Sequence, residues 1–135
     1  MQRTKRLIKG PKLFWSDVGL ALHPSGSPEP TGAHLENLVL HDLLVWRDAR
    51  TSRAELHHWL AADGLEVDLV IEAEGMLLSA EVKSTRRPRV ADKAGLRAFR
   101  ALHEDQAHAG LLLHDGERTE WLTADVLAVP WRRVL

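Results

Sequence analysis

The sequence predicts a mixed α/β fold in which helices flank a sheet, and three observations support this prediction. Apolar residues recur at helical spacing over residues 35–43 and again over 96–102. The stretch 65–85 alternates apolar and polar residues with a period of two, which is typical of strands. A short apolar run at 110–114 adds a buried strand. The order helix, three strands, helix, strand favours a mixed sheet covered by helices.

Length and composition narrow the class of protein. A chain of 135 residues is long enough for one domain with a core, and 44% hydrophobic with 27% charged residues is typical of a globular protein. The net charge of −1 indicates no particular partner, and the lack of cysteine excludes disulfides and thiolate metal sites. Neither a secretory signal nor a membrane-spanning run of ~18–20 apolar residues is present, so we expect a cytoplasmic domain with no membrane partner.

The chain is predicted to have three segments. Residues 1–30 form a basic arm and a proline-rich linker, which lies in the stretch HPSGSPEPTG. Residues 31–122 form the folded domain. Its first helix begins at Thr31, a candidate N-cap, and AELHHWL is its first strand. The tail 123–135 is predicted as one short helix that Pro130 stops.

The second half of the domain continues this pattern. Asp92 is a candidate N-cap for the amphipathic helix AGLRAFRALHED, GLLLH is the buried strand, and ERTEWL is a last strand. Trp15, Trp46 and Trp59 fall in apolar segments and are predicted to lie in the core.

The stretch LEVDLVIEAEGMLLSAEVKST is predicted to be a hairpin with a two-residue turn at 74–75. With that turn, Asp68 lies opposite Glu81, and Glu66 lies opposite Lys83. One face of the first strand is apolar and comprises Leu65, Val67, Leu69 and Ile71. The other face of the hairpin therefore gathers charged side chains.

Two opposed carboxylates need a compensating charge. At ~5 Å and an effective dielectric of about 20, Asp68 and Glu81 repel each other by roughly 3 kcal/mol. A hard divalent cation, Mg²⁺ or Mn²⁺, would offset this repulsion, since it prefers carboxylate and phosphate oxygens. Lys83 would then orient a water molecule or stabilise a charged transition state. Glu36, in the first turn of the preceding helix, adds a third carboxylate.

The same residues also fit a solvated surface. Exposed ion pairs on the outer face of a hairpin contribute little to stability. An acid near a helix N-terminus, such as Glu36, is favourable with the helix dipole alone. Spacing alone favours the solvated surface, and the third carboxylate, Glu36, is the feature that favours a site.

A helix with an inward Glu, then Asp-x₁₂-Glu-x-Lys over a hairpin, then a helix and a strand, resembles the PD-(D/E)XK nuclease core. The segments GAHLENLVLHDLL, LEVDLVI and AEVKST are similar to a narrower family. This is the uncharacterised domain found C-terminal to the ATPase in bacterial and archaeal AAA+ superfamily ATPase-like proteins. The resemblance implies a restriction-endonuclease-like fold with Glu36, Asp68, Glu81 and Lys83 at the nuclease-type site, where Asp68 and Glu81 hold the metal.

This resemblance implies a Mg²⁺-dependent nuclease-like domain that hydrolyses phosphodiester bonds in DNA and is detached from, or lacks, its usual AAA+ ATPase. No G-x-x-x-x-G-K-[ST] segment is present, so the chain as given is not a P-loop ATPase. The alternative is a non-catalytic interaction or regulatory module of an ATPase-like protein, or a homodimerising domain, that retains the fold.

Basic residues near the proposed site provide candidate contacts to a nucleic-acid backbone. Three lie in the loop after the hairpin and three lie along the second helix: Arg86, Arg87, Arg89, Lys93, Arg97 and Arg100. Such residues bind phosphates without reading bases. An ordinary solvated loop and helix face would show the same pattern.

Overall fold

The computed structural model describes residues 13–17, 19–20, 26 and 29–134 of the chain. Most of the predicted arm and linker, residues 1–30, lies outside the described residues. Two α-helices lie wholly within the described residues, α1 (Gly32–Asp48) and α2 (Ala94–Leu102). The strands are β1 (Ala54–Leu60), β2 (Glu66–Ala73), β3 (Met76–Lys83), β4 (Gly110–His114), β5 (Glu120–Thr123) and β6 (Val126–Pro130). The predicted α/β class and the order helix, three strands, helix, strand are confirmed.

The six strands form one mixed sheet in the order β1-β2-β3-β4-β6-β5. The three central strands β3, β4 and β6 are parallel, whereas the β1–β2, β2–β3 and β5–β6 pairs are antiparallel. The connection from β3 to β4 contains α2, as a crossover between parallel strands requires. No helix in the described part of the chain is long and apolar enough to cross a membrane.

Each side of the sheet has its own apolar core. The core that includes residues of α1 comprises Val39, Leu43, Leu69, Ala80, Val82, Leu113 and Val129. The core that includes residues of α2 comprises Val67, Val70, Leu96, Phe99, Ala107, Leu112 and Val126. We call these two sides the α1 face and the α2 face. Burial on both faces explains why β4 and β6 are almost continuously apolar.

The tryptophans divide between core and surface. Trp59 packs edge-on against Phe99, with ring centroids 5.6 Å apart, on the α2 face. The prediction is wrong for Trp15 and Trp46, which are 55% and 37% exposed. The guanidinium of Arg50 lies over the Trp46 ring, so this aromatic is covered by a cation rather than by core residues.

The first helix begins where the sequence places it. Thr31 is its N-cap, and the His34 ring accepts the Thr31 backbone N–H through Nδ1 at 3.0 Å. Inside the helix the buried Asn37 amide binds the backbone of Trp15 twice. Its Oδ1 accepts the Trp15 N–H at 2.6 Å, and its Nδ2 donates to the Trp15 carbonyl at 2.9 Å. The segment 13–17 is thereby tied to α1.

Two expectations for the ends of elements are wrong. The tail contains a strand rather than a helix, because Val126, Ala128 and Val129 are buried and pair with β4 in the sheet. The N-cap of α2 is Lys93 rather than Asp92. Asp92 instead accepts the Arg89 N–H within a 3₁₀ turn that precedes the helix. The predicted strand in ERTEWL is confirmed as β5.

Candidate functional site

The candidate site forms where the β2–β3 ladder stops. The predicted turn is confirmed, since residues 74–75 have φ values of 54° and 79° and join Ala73 to its partner Met76. The ladder continues in this register to Leu69 opposite Ala80. The predicted pairs Asp68–Glu81 and Glu66–Lys83 lie beyond that last pair. Here Asp68 Oδ2 accepts the backbone N–H of Val82 at 2.8 Å in place of a strand carbonyl.

A bulge in β2 explains this break. His57 pairs with Val70 and Trp59 pairs with Val67, so two residues of β2 oppose one residue of β1. The bulge turns Leu69 to the α1 face, whereas Val67 and Val70 lie on the α2 face. The predicted common face of Val67 and Leu69 is therefore wrong, because strict alternation fails at the extra residue.

Glu81 is a buried acid at this break. It is 6% exposed, as is Asp68. Its Oε1 lies 2.7 Å from Lys83 Nζ. Its Oε2 is buried and has no hydrogen-bond partner among the described residues. A charge-assisted bond thus satisfies one oxygen of the carboxylate and leaves the other for a further ligand.

The start of α2 closes over this carboxylate. A Cβ placed on Gly95 would lie 3.2 Å from Glu81 Oε2 and 2.0 Å from the Glu66 carbonyl oxygen. Only glycine allows the helix to approach the strand this closely. The helix therefore shelters Glu81 from solvent on this side.

The electrostatics of the pair follow from this shelter. Burial raises the pKa of Glu81 above 4.5, and the charges of Asp68 and Glu66 raise it further, while Lys83 opposes the rise. Burial also acts to lower the pKa of Lys83. The hydrogen bond and charge of Glu81, together with the charge of Asp68, outweigh burial and hold that pKa above 10.5. Lys83 is therefore a cation at neutral pH, and ionised Glu81 is disfavoured by its surroundings.

Glu36 approaches from the other layer. It is half-buried and lies one turn after Gly32, on the same side of α1. A Cβ on Gly32 would lie 3.1 Å from Ser84 Oγ, directly after the end of β3. This end of α1 thus borders the end of the strand that carries Lys83. The ligand atoms of Glu36, Asp68 and Glu81 do not form a group within 4.8 Å of one another in the described part of the chain.

The six predicted phosphate-binding residues do not all line one cavity. Arg86 and Arg87 line one cavity, while Lys93 and Arg97 line another beside α2. Arg100 donates to Asp125 and to the Ala107 carbonyl. Its guanidinium therefore helps to hold α2 to the sheet.

A second polar cluster, which sequence patterns do not predict, lies on β1 and β2. Glu55 is paired directly with Glu72 across the β1–β2 ladder, and His57 Nε2 lies 2.9 Å from Glu72 Oε2. One ligand atom from each residue lies within 4.8 Å of the others. We call these three residues the exposed triad. Because the bulge shifts the β1–β2 register, the sequence does not predict that Glu72 lies beside Glu55 and His57, although Glu55 and His57 already share a strand face.

Comparison with known proteins gives one match. The model of a family described as a domain of unknown function, DUF4143, matches residues 31–134. No curated protein and no solved structure matches the chain.

Proposed function

The chain belongs to the DUF4143 family of domains of unknown function, and from this premise we propose a metal-dependent nuclease-like domain that hydrolyses phosphodiester bonds in DNA. The proposal includes a restriction-endonuclease-like arrangement of the sheet and helices. One observation supports it above the others. Glu81 is a buried carboxylate with one oxygen unpartnered among the described residues, beside Asp68 and bonded to Lys83.

The residues fit a hard divalent cation. Mg²⁺ or Mn²⁺ prefers carboxylate oxygens, and the buried Oε2 of Glu81 is such an oxygen. Asp68 and Glu81 would hold the ion, and Glu36 would support its bound waters from α1, because the three carboxylates do not form a group within 4.8 Å of one another. When bound, the ion would supply Lewis-acid activation of water and of the phosphoryl oxygen.

The protein residues have separate tasks in this proposal. The Val82 N–H fixes the Asp68 carboxylate at the break in the ladder. Lys83 donates one proton to Glu81 Oε1, and because its side chain is 38% exposed, its other protons would be accessible to a substrate. A fixed ammonium at this place stabilises the negative charge that develops on the phosphoryl group. Because α2 excludes water from this site, these electrostatic interactions are stronger than they would be in open solvent.

Cleavage of supercoiled and branched DNA in the presence of Mg²⁺ or Mn²⁺ tests the proposal. We expect Asp68→Ala and Lys83→Ala each to lower the rate by about 100-fold or more, because each removes a group that acts on the developing charge. Glu55→Ala, an acid of the exposed triad, is the matched control and should retain activity. Equal rates in all four proteins would place the activity outside this site.

Thermal unfolding with added metal tests the ion without requiring activity. An ion that binds only the folded state raises the melting temperature, by an amount set by its affinity. We expect a rise for the wild-type protein and for Glu55→Ala, and none for Asp68→Ala. A rise that persists in Asp68→Ala would refute metal binding by Asp68.

A second candidate function is a non-catalytic interaction module of an AAA+ ATPase-like protein. The hydrogen-bonded Glu81–Lys83 pair favours this candidate, because the lysine already compensates the negative charge of the buried carboxylate. An open groove of about 920 Å³ on the α1 side also favours it, because Val45, Trp46 and Met76 line it and are exposed. Absence of both cleavage and a metal-induced rise in melting temperature would select this candidate over the nuclease.

A further inference from the structure

Two loops meet at one edge of the sheet beside the Glu81–Lys83 pair. The parallel strands β3 and β4 end together there, and Lys83 is paired with His114 in register. Residues 84–89 follow β3, and residues 115–119 follow β4. Ligands of open α/β sheets commonly bind outside the carboxyl ends of the strands, which makes this edge a natural place for a substrate.

Backbone contacts fasten the two loops to each other. The Asp115 N–H donates to the Thr85 carbonyl at 2.9 Å. Gly116 lies against the Arg86 backbone, where an added Cβ would come within 2.4 Å of the Arg86 carbonyl oxygen. No side chain larger than hydrogen fits at Gly116 without moving a loop, so the contact holds the two loops at a fixed spacing.

A buried histidine fixes the second loop. His114 is 2% exposed, and its Nδ1 accepts the Gly116 N–H at 2.9 Å. The ring proton therefore resides on Nε2, which donates to the Arg118 carbonyl at 3.1 Å. His114 thus acts as a positioning residue that holds both ends of the turn bearing Arg118.

The two loops enclose a polar cavity of about 510 Å³. Three of its lining residues are arginines, Arg86, Arg87 and Arg118, and two are exposed acids, Glu117 and Glu120. Within the described part of the chain, no guanidinium of these three donates a hydrogen bond or joins a salt bridge. The three arginines outnumber the two acids that line the cavity, so the lining carries excess positive charge that a phosphate between the guanidinium groups would offset.

We propose that this cavity binds one phosphate group of a DNA strand that passes over Lys83. The inference rests on the proposed function for its choice of substrate. Guanidinium groups match phosphate oxygens with two parallel hydrogen bonds, and the contacts between the loops fix the backbone that carries the arginines, so little loop freedom is lost on binding. His114, which lines the cavity, is paired with Lys83 across β3 and β4, so one DNA strand can contact both the cavity and Lys83. The phosphate recognised here is a neighbour of the one that would be cleaved.

Fluorescence anisotropy of labelled DNA, measured in EDTA over a series of salt concentrations, tests this proposal. The variant carries Arg86→Gln, Arg87→Gln and Arg118→Gln. The matched control carries Arg47→Gln, Arg50→Gln and Arg53→Gln, three arginines that line a different cavity. We expect about tenfold weaker binding for the first variant, with the slope of log K against log salt reduced by about one. The control should change by less than about twofold.

The outcomes separate this proposal from the nuclease. Equal weakening in both triple variants, unchanged affinity in the first, or no DNA binding by the wild-type protein would each overturn the phosphate site. Binding that depends on Arg86, Arg87 and Arg118 without any metal-dependent cleavage would support the phosphate site and refute the nuclease. Metal-dependent cleavage by the wild-type protein, together with unchanged DNA affinity in the Arg86, Arg87 and Arg118 variant, would support the nuclease and refute the phosphate site.

Discussion

Two acid–base clusters lie on neighbouring strands and differ in how water reaches them. In the Glu81–Lys83 pair the ammonium lies 2.7 Å from the carboxylate of Glu81, whose side chain is 7% exposed. In the exposed triad His57 lies 2.9 Å from the Glu72 carboxylate, and the three side chains are 38–49% exposed. The distances are alike, so distance alone does not distinguish the clusters.

The difference comes from the backbone beneath each cluster. Glu55 and Glu72 project from a regular ladder pair, where solvent screens their repulsion. Glu81 lies where a bulge ends the ladder and where Gly95 brings α2 down onto it. Burial then shifts the pKa of Glu81, and one of its oxygens has no partner among the described residues. A charged cluster becomes chemically distinctive when the fold removes water from it, and this comparison can be tested by restoring or removing that shelter.

The largest effect is expected from Gly95→Ala, which disturbs the cover over Glu81. The new methyl group would lie 2.0 Å from the Glu66 carbonyl oxygen, so α2 must move. We expect the free energy of unfolding to fall by about 2–3 kcal/mol, as for overpacked sites. Urea denaturation measures this change. Ala101→Gly, an exposed exchange on the same helix, should lose only about 1 kcal/mol. A Gly95→Ala variant as stable as wild type would show that the close contact is not maintained.

A smaller effect is expected from Lys83→Met, which keeps the length of the side chain and removes its charge. The buried carboxylate of Glu81 would then lose the partner of Oε1. Since Lys83 is partly exposed, we expect a loss of about 1–2 kcal/mol in urea denaturation at neutral pH. His57→Gln in the exposed triad should change stability by less than about 0.5 kcal/mol. Equal losses in the two variants would remove the distinction between the clusters.

Sequence periodicity was sufficient for the hairpin and for α1, because each is determined by local rules. The turn at 74–75 needs two residues with positive φ, and Glu-Gly provides them. Thr31 is a good N-cap in any helix of this kind. The gathering of Asp68, Glu81 and Lys83 follows from that turn almost directly.

Features set by the tertiary structure were not accessible in this way. The bulge in β2 depends on pairing with β1, and the alternation of apolar residues at Val67 and Leu69 does not predict it. The strand at 126–130 is short and ends in proline, so its identity depends on β4 beside it. The meeting of Arg118 with Arg86 likewise requires the parallel pairing of β3 with β4. Long-range pairing decided each of these three cases.

The smallest effect, and the most direct measure of shelter, is the pH dependence of stability at a buried and an exposed acid. The pKa of Glu81 is raised by burial, so its contribution to stability is complete below pH 4.5 and is lost as pH rises through its folded-state pKa. Glu81→Gln cannot ionise. Its stability relative to wild type should therefore increase as pH rises from about 4 to 7.

Asp115 provides the opposite case, because the hydrogen bond from Arg132 holds its pKa below 3.8 while the carboxylate remains exposed. Its contribution is present above pH 3.8 and is lost as pH falls through the folded-state pKa. Asp115→Asn should thus be less stable than wild type at neutral pH and should approach wild type in acid. Urea denaturation of wild type, Glu81→Gln and Asp115→Asn between about pH 3 and 7 gives the pH dependence of each variant's stability relative to wild type. If the relative stabilities of Glu81→Gln and Asp115→Asn changed with pH in the same direction, a nearby cation alone would govern both pKa values. Burial would then not raise the pKa of Glu81.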